Sequence, residues 1–204
     1  MIIEARKGNI VQIAPGIADA VALWIRDGYS NSAATWIFDI RKNWKPKSRV
    51  LITDRPRTHN PRQFQQSISV LEDLNEFDDG NKELYKPWFL PMDSLFELSV
   101  PDSNLKYAYM FSHLRNNGYV EEQRAAIWRC LDQLSRRNVK KIAFLQMPFA
   151  RGAKLGETHV RSDVAMLSAL REWAKINAPS PVTHVYLVDF TDDFFKLLQN
   201  ESQQ

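Results

Sequence analysis

Lys140-Lys141-Ile142-Ala143-Phe144-Leu145-Gln146-Met147, followed by Ser162 to Asn177 and then Val182 to Phe190, is the stretch whose reading decides the fold. The first segment opens on two lysines and continues as an apolar run too short for a helix, which predicts a buried strand. Ser162 is a favourable N-cap. Behind it Val164, Leu167, Leu170 and Trp173 recur every third residue, predicting a helix that Pro179 and Pro181 stop. Val182–Phe190 reads as a second buried strand, and Asp192–Gln199 as a closing helix. Strand, helix, strand, helix in this order requires parallel strands with helices packed against the sheet.

Working towards the N-terminus, Glu121–Arg137 reads as another helix, with Ala125, Ile127, Trp128, Leu131 and Leu134 as its apolar stripe. Tyr107–Phe111 before it reads as a strand. Residues 81–104 hold three prolines and many aromatics, and read as an irregular insertion with one short strand near Leu95–Val100. The acidic stretch Glu72–Asp79, closed by Gly80, is a surface turn. A helix is expected from Arg62 to Leu74, and a short buried strand at Val50–Thr53. Ahead of these lie the basic loop Arg41–Lys47, the apolar patch Trp36 to Ile40, and turn material at 27–33. Ile17–Ile25 is compatible with a buried strand or a short helix, which periodicity does not separate. Residues 2–13 alternate loosely and read as a first strand interrupted at Lys7-Gly8-Asn9, before Pro15-Gly16 punctuates the chain. The whole is expected to be one α/β domain over 1–199, with the aromatic, proline-rich insertion around 76–104 and a frayed tail at 200–204.

Composition agrees with a globular protein: 204 residues, 44% apolar and 25% charged, with 6 Trp and 11 Phe to fill a core. No apolar run approaches the roughly 20 residues that cross a bilayer, and the N-terminus lacks a signal-peptide core, so a cytoplasmic protein without a membrane partner is expected. Cys130 is the only cysteine, which excludes an internal disulfide and suits a reducing compartment. It falls inside the 121–137 helix with no base assigned to it, and is read as a core thiol. The net charge of +3 and pI near 9.0 permit phosphate contact. They fall short of a nucleic-acid footprint, which wants basic residues concentrated on one face, so a nucleic-acid partner is not expected.

In an open parallel sheet, ligands bind at the carboxyl ends of the strands, where loops meet helix N-termini. Three segments occupy such places. Pro148–Gly156 combines Gly152 and Gly156, which allow close backbone approach, with Phe149 and the cations Arg151 and Lys154. It reads either as a phosphate-binding loop or as a solvated connection. At Val188-Asp189-Phe190 the ring could stack on a base while the carboxylate takes an amino proton. The other reading has Asp189 capping the last helix and Phe190 in the core. Asp54–Pro61, with its arginines and His59, reads as an anion clamp or a solvated loop. His59, His113, His159 and His184 are scattered without zinc spacing, so no metal is expected. There is no nucleophile elbow and no Walker loop, and nothing calls for a cofactor.

The order of these pieces resembles the macrodomain family. Ile3-Glu4-Ala5-Arg6-Lys7-Gly8-Asn9-Ile10 is similar to the opening strand of macrodomains, which commonly ends in a Lys-Gly-Asp-Ile type signature. Lys140-Lys141-Ile142-Ala143-Phe144 resembles their strand leading to the phosphate loop. Val182–Phe190 with Thr191-Asp192-Asp193-Phe194 resembles their last strand and final helix. The likeness covers the first dozen residues and roughly residues 105–198. It implies a three-layer α/β/α fold with a mostly parallel mixed sheet, and binding of ADP-ribose or a related nucleotide. Asn9 would stand where the family has an aspartate receiving the adenine amino group, with Ile10 beside it. Residues 149–156 would form the diphosphate loop, and Phe190 or Phe194 would flank the adenine. The chain departs from the family's hydrolases, whose Asn-rich strand end and triple-glycine loop have no counterpart in Asp19–Gly28. Its phosphate loop is also bulkier.

The first functional reading is therefore binding or sensing of an ADP-ribose-like nucleotide, with no catalytic residues assigned. The second is a protein-interaction module that keeps the fold without the ligand site, using Tyr85, Trp88, Phe89 and Phe96 as its surface. The third is a hydrolase of ADP-ribosyl or nucleotide substrates, for which Asp27, Asp54 and His59 are the only acid–base candidates.

Overall fold

The computed structural model describes residues 1–26, 48–51, 95–100, 103–113, 120–145, 153–155 and 158–201. The first strand, β1 (Ile2–Lys7), ends sooner than the sequence suggests, and the chain turns directly into helix α1 (Ile10–Ile17). Residues read as one interrupted strand over 2–13 are thus a strand and a helix. The β-branched Ile10, Val11 and Ile13 favour a strand locally, but Gly8 takes φ 139° and Asn9 caps the helix that follows. Ile10, Val11 and Ala14 then form one buried stripe at helical spacing, and Pro15 falls within the helix's final residues rather than ending it. Strand β2 (Ala20–Arg26) resolves the ambiguous Ile17–Ile25 segment in favour of a strand.

The remaining described elements are β3 (Ser48–Leu51), β4 (Leu95–Ser99), β5 (Tyr107–His113), α2 (Val120–Arg136), β6 (Lys141–Leu145), β7 (Ala153–Leu155), β8 (Thr158–Val160), α3 (Ser162–Ile176), β9 (His184–Asp189) and α4 (Asp193–Glu201). The short strand expected near Leu95–Val100 is β4, and the strand expected at Val50–Thr53 begins two residues earlier. The helix expected at 62–74 lies outside the described residues, as does most of the 76–104 insertion. Helix α4 runs through Asn200 and Glu201, residues read as tail.

Seven strands form one sheet in the order β1-β9-β6-β2-β5-β4-β3. The first five are mutually parallel, and β4 and β3 add an antiparallel edge. The inner strands β6 and β9 are apolar almost throughout: Ile142 to Leu145 and Val185 to Val188 are all buried. Alternation is lost because both faces are covered. The connection β1-α1-β2 crosses the sheet in one direction, whereas β5-α2-β6 and β6-α3-β9 cross in the other. Right-handed crossovers therefore set α1 against one face and α2 and α3 against the opposite one. Helix α4 packs on α3, β1 and β9 and completes that second layer. The result is a three-layer α/β/α sandwich with a mostly parallel mixed sheet.

Two indoles tie α2 to α3. Trp128 Nε1 of α2 donates to the Ala169 carbonyl at 2.8 Å, and Trp173 Nε1 of α3 donates to Asp132 Oδ1 at 2.8 Å. Each ring is thereby packed against the neighbouring helix with its one polar atom satisfied. Cys130 is fully buried on α2, and burial pushes its thiol pKa well up, in keeping with a core thiol rather than a nucleophile.

Candidate functional site

Parallel pairing of β1 with β9 sets Lys7 opposite Asp189, so both strands end at the same level on the carboxyl edge of the sheet. The next residue on each side continues the register: the Gly8 amide donates to the Asp189 carbonyl at 2.8 Å. The backbone favours glycine there: its φ of 139° is poorly accessible to other residues, and an added Cβ would also push the tip of the Ile13 side chain aside. Asn9 and Phe190 thus follow directly on the ends of two adjacent strands.

Asn9 begins α1. Its Oδ1 accepts the Val11 amide at 2.9 Å, and its carbonyl accepts from Gln12 and Ile13, each at 3.0 Å. The sequence signal for this cap, an Asn before an apolar-periodic run, was present at Asn9 but hidden by the strand-like Ile-Val pair. Ile10 is completely buried.

On the other strand, Asp189 is buried while Phe190 is 54% exposed. The reading that put Phe190 in the core is overturned; the buried ring of this segment is Phe194. Phe194 lies in the first turn of α4 and is buried, whereas Phe190 lies three residues ahead of that helix and is exposed. The Thr191 hydroxyl donates to Asp189 Oδ2, and Thr191 Oγ1 accepts the Asp193 amide at 3.3 Å. An exposed ion pair, Lys7 Nζ to Asp192 Oδ1 at 3.0 Å, spans from the end of β1 to the entry of α4. Both strand ends are thus held by polar contacts around the exposed ring.

The third contributor is the connection from β6 to α3. Part of what reads as a loop over 148–156 is instead a small hairpin, with β7 and β8 paired so that Lys154 faces His159. Phe149, Arg151, Gly152 and Gly156 lie outside the described residues, as do Asp27, Asp54 and His59. Helix α3 follows at once. Its N-cap position is Arg161 rather than Ser162, with no side-chain cap bond, and Ser162 is the first helical residue. Asp163, almost fully buried, takes over: its Oδ1 accepts the Val164 amide at 3.0 Å and its carboxylate pairs with Arg161 at 2.5 Å. That pairing raises the Arg161 pKa, mainly through the hydrogen bond. Among the described residues there is no cluster of His, Cys, Asp and Glu fit for a metal, and no helix long and apolar enough to cross a membrane.

The arrangement offers an exposed aromatic ring, a side-chain amide, the backbone of a glycine turn, and a helix N-terminus along one sheet edge. No protein-family model matches the chain. No curated protein matches it either. Solved structures do. A Trypanosoma brucei macrodomain crystallised with ADP-ribose superposes with a TM-score of 0.58 at 10% identity, covering 98% of this chain and 68% of that one. An Oceanobacillus iheyensis macrodomain mutant gives 0.54 at 11% identity, with 98% and 90% covered. The macrodomain of Thermus aquaticus DarG gives 0.50 at 11% identity, with 92% and 98% covered. These superpositions show that the chain has a macrodomain-like fold.

Proposed function

We propose that the protein binds an ADP-ribose-like nucleotide at the carboxyl edge of β1, β9 and β6. The observation that carries this reading is that Asn9 and the exposed Phe190 follow directly on the ends of the paired strands β1 and β9, which the Gly8–Asp189 backbone bond holds together. An aromatic ring exposed at a strand end suits stacking on a purine, and an amide at the neighbouring strand end suits the edge of that purine. The Trypanosoma brucei macrodomain has been solved with ADP-ribose and also with ADP, which supports a nucleotide diphosphate as the ligand class. The diphosphate would meet the residues after β6, where Phe149, Arg151, Gly152, Lys154 and Gly156 are the candidates. Asp189, buried and engaged by Thr191, serves in this reading to shape the turn that carries Phe190.

Isothermal titration calorimetry with ADP-ribose tests it. Phe190→Ala removes a stacking surface at an exposed position and is expected to weaken binding about tenfold, equivalent to roughly 1–1.5 kcal/mol, without lowering the melting temperature. Asn9→Asp keeps a capping oxygen and adds charge for an amino group, so it should bind ADP-ribose more tightly than the parent. Unaltered affinity in both variants, or no ADP-ribose binding by the parent, removes the site.

A further inference from the structure

The opposite edge of the sheet, where the parallel strands begin, carries a different chemistry. Helix α2 ends in a tight reversal. Val139 N donates to the Leu134 carbonyl at 3.0 Å and Asn138 N to the Ser135 carbonyl at 3.0 Å, with Asn138 left-handed at φ 57°. This is a Schellman turn, sealed by the buried Val139 against the buried Leu134. It folds Arg136-Arg137-Asn138-Val139-Lys140-Lys141 round one corner, so that Arg136, Lys140 and Lys141 are all exposed there. Lys106 stands two strands away along the same edge, because β2 lies between β5 and β6.

The carboxylates near this corner are already matched. Asp19 holds Lys106 at 3.2 Å and also accepts the Lys141 amide at 3.2 Å. Glu97 holds Arg137 at 2.5 Å, while that guanidinium lies over the Tyr107 ring at 4.8 Å. Arg136, Lys140 and Lys141 have no carboxylate partner among the described residues. Arg136 alone would be the ordinary complement to a helix C-terminus. Lys140 and Lys141 lie beyond the helix, and its dipole does not account for them. A whole-chain charge of only +3 therefore conceals a corner where three unmatched cations gather.

We propose that this corner is a surface for the phosphate backbone of nucleic acid. Arg136, Lys140 and Lys141 together can neutralise about three phosphates, one for each unmatched cation. Lysines act as point charges and an arginine as a fork, both suited to phosphate oxygens. Such contacts position a backbone without reading bases, so binding is independent of sequence.

The test is fluorescence anisotropy of the intact protein with a labelled duplex of about 20 base pairs, across roughly 25–150 mM NaCl. The parent is expected to bind with a log–log salt slope of about −2.7, the value for three neutralised phosphates. Arg136→Gln/Lys140→Gln/Lys141→Gln should lose at least tenfold in affinity and flatten the slope. Arg124→Gln/Arg171→Gln/Lys196→Gln removes the same charge elsewhere and should stay within about twofold. Circular dichroism checks that both variants fold. Equal losses in the two triple variants would mean a net-charge effect and overturn the proposal. So would absence of parent binding at the lowest salt, or tighter binding of poly-glutamate than of the duplex, which would make the partner an acidic protein.

Discussion

Tyr109 is fully buried on β5, its hydroxyl has no hydrogen-bond partner among the described residues, and the Arg137 guanidinium lies 5.9 Å from its ring centroid. A buried hydroxyl left unpaired costs about 1–3 kcal/mol. Tyr109→Phe should therefore raise stability by up to about 1 kcal/mol, measured by urea denaturation at pH 7. Burial first, and then Glu97, push the Tyr109 pKa well above its ordinary value. Below pH of about 10 the phenol is neutral in both folded and unfolded chains. As pH rises past that value the unfolded chain releases a proton that the folded chain keeps, so stability falls with pH. The contribution is bounded by about 1.4 kcal/mol per pH unit and should be missing from Tyr109→Phe; identical alkaline profiles for the two proteins would contradict the assignment. Asn9 shows the other residue-scale lesson. One amide oxygen caps α1 and stands at the candidate site, so Asn9→Ala would confound lost affinity with about 1 kcal/mol of lost capping, whereas Asn9→Asp would not.

Among the elements, helix ends decide more than helix middles. The Schellman turn after α2 needs a left-handed residue at position 138, where Asn is tolerated and a β-branched residue is not. Asn138→Val should cost about 1–2 kcal/mol, whereas Asn138→Gly should be neutral or slightly stabilising. Thermal or chemical denaturation of the two variants gives the comparison, and equal stabilities would show that the turn carries no strain. The same reversal aligns Lys141 with the start of β6, so a local cap sets where a central strand begins. Helices α2 and α3 are coupled by their reciprocal indole bonds, a contact invisible in either helix's own periodicity.

For the molecule as a whole, ligand binding and folding are linked. A nucleotide at one hundred times its dissociation constant should stabilise the fold by about 2.7 kcal/mol, seen as a saturable rise in melting temperature. ADP-ribose is expected to produce this rise in the parent. Arg151→Ala/Lys154→Ala should melt at nearly the parent temperature without ligand, and need at least about tenfold more ADP-ribose for the same rise. If the double variant follows the parent curve, the β6–α3 connection does not hold the diphosphate.

Much of the C-terminal half was legible because its apolar runs and stripes are long enough to show their period. Ile142–Leu145, the Leu167–Leu170–Trp173 stripe and Val185–Val188 could be buried only in a sheet with helices upon it. What the sequence by itself determined is this α/β order and the candidates at the strand ends, Asn9, Asp189 and Phe190 among them. The tertiary structure decided where those candidates stand and which of them are buried. Whether Ile10 and Val11 joined a strand or a helix depended on the turn at Gly8 and the cap at Asn9, which override local β preference. Whether Phe190 or Phe194 was buried depended on how α4 leaves β9. Adjacency of β1 and β9, almost two hundred residues apart in the chain, depended on pairing free energy contributed by the whole sheet. Local patterns carry propensity; the partner across a sheet is settled only by packing every strand at once.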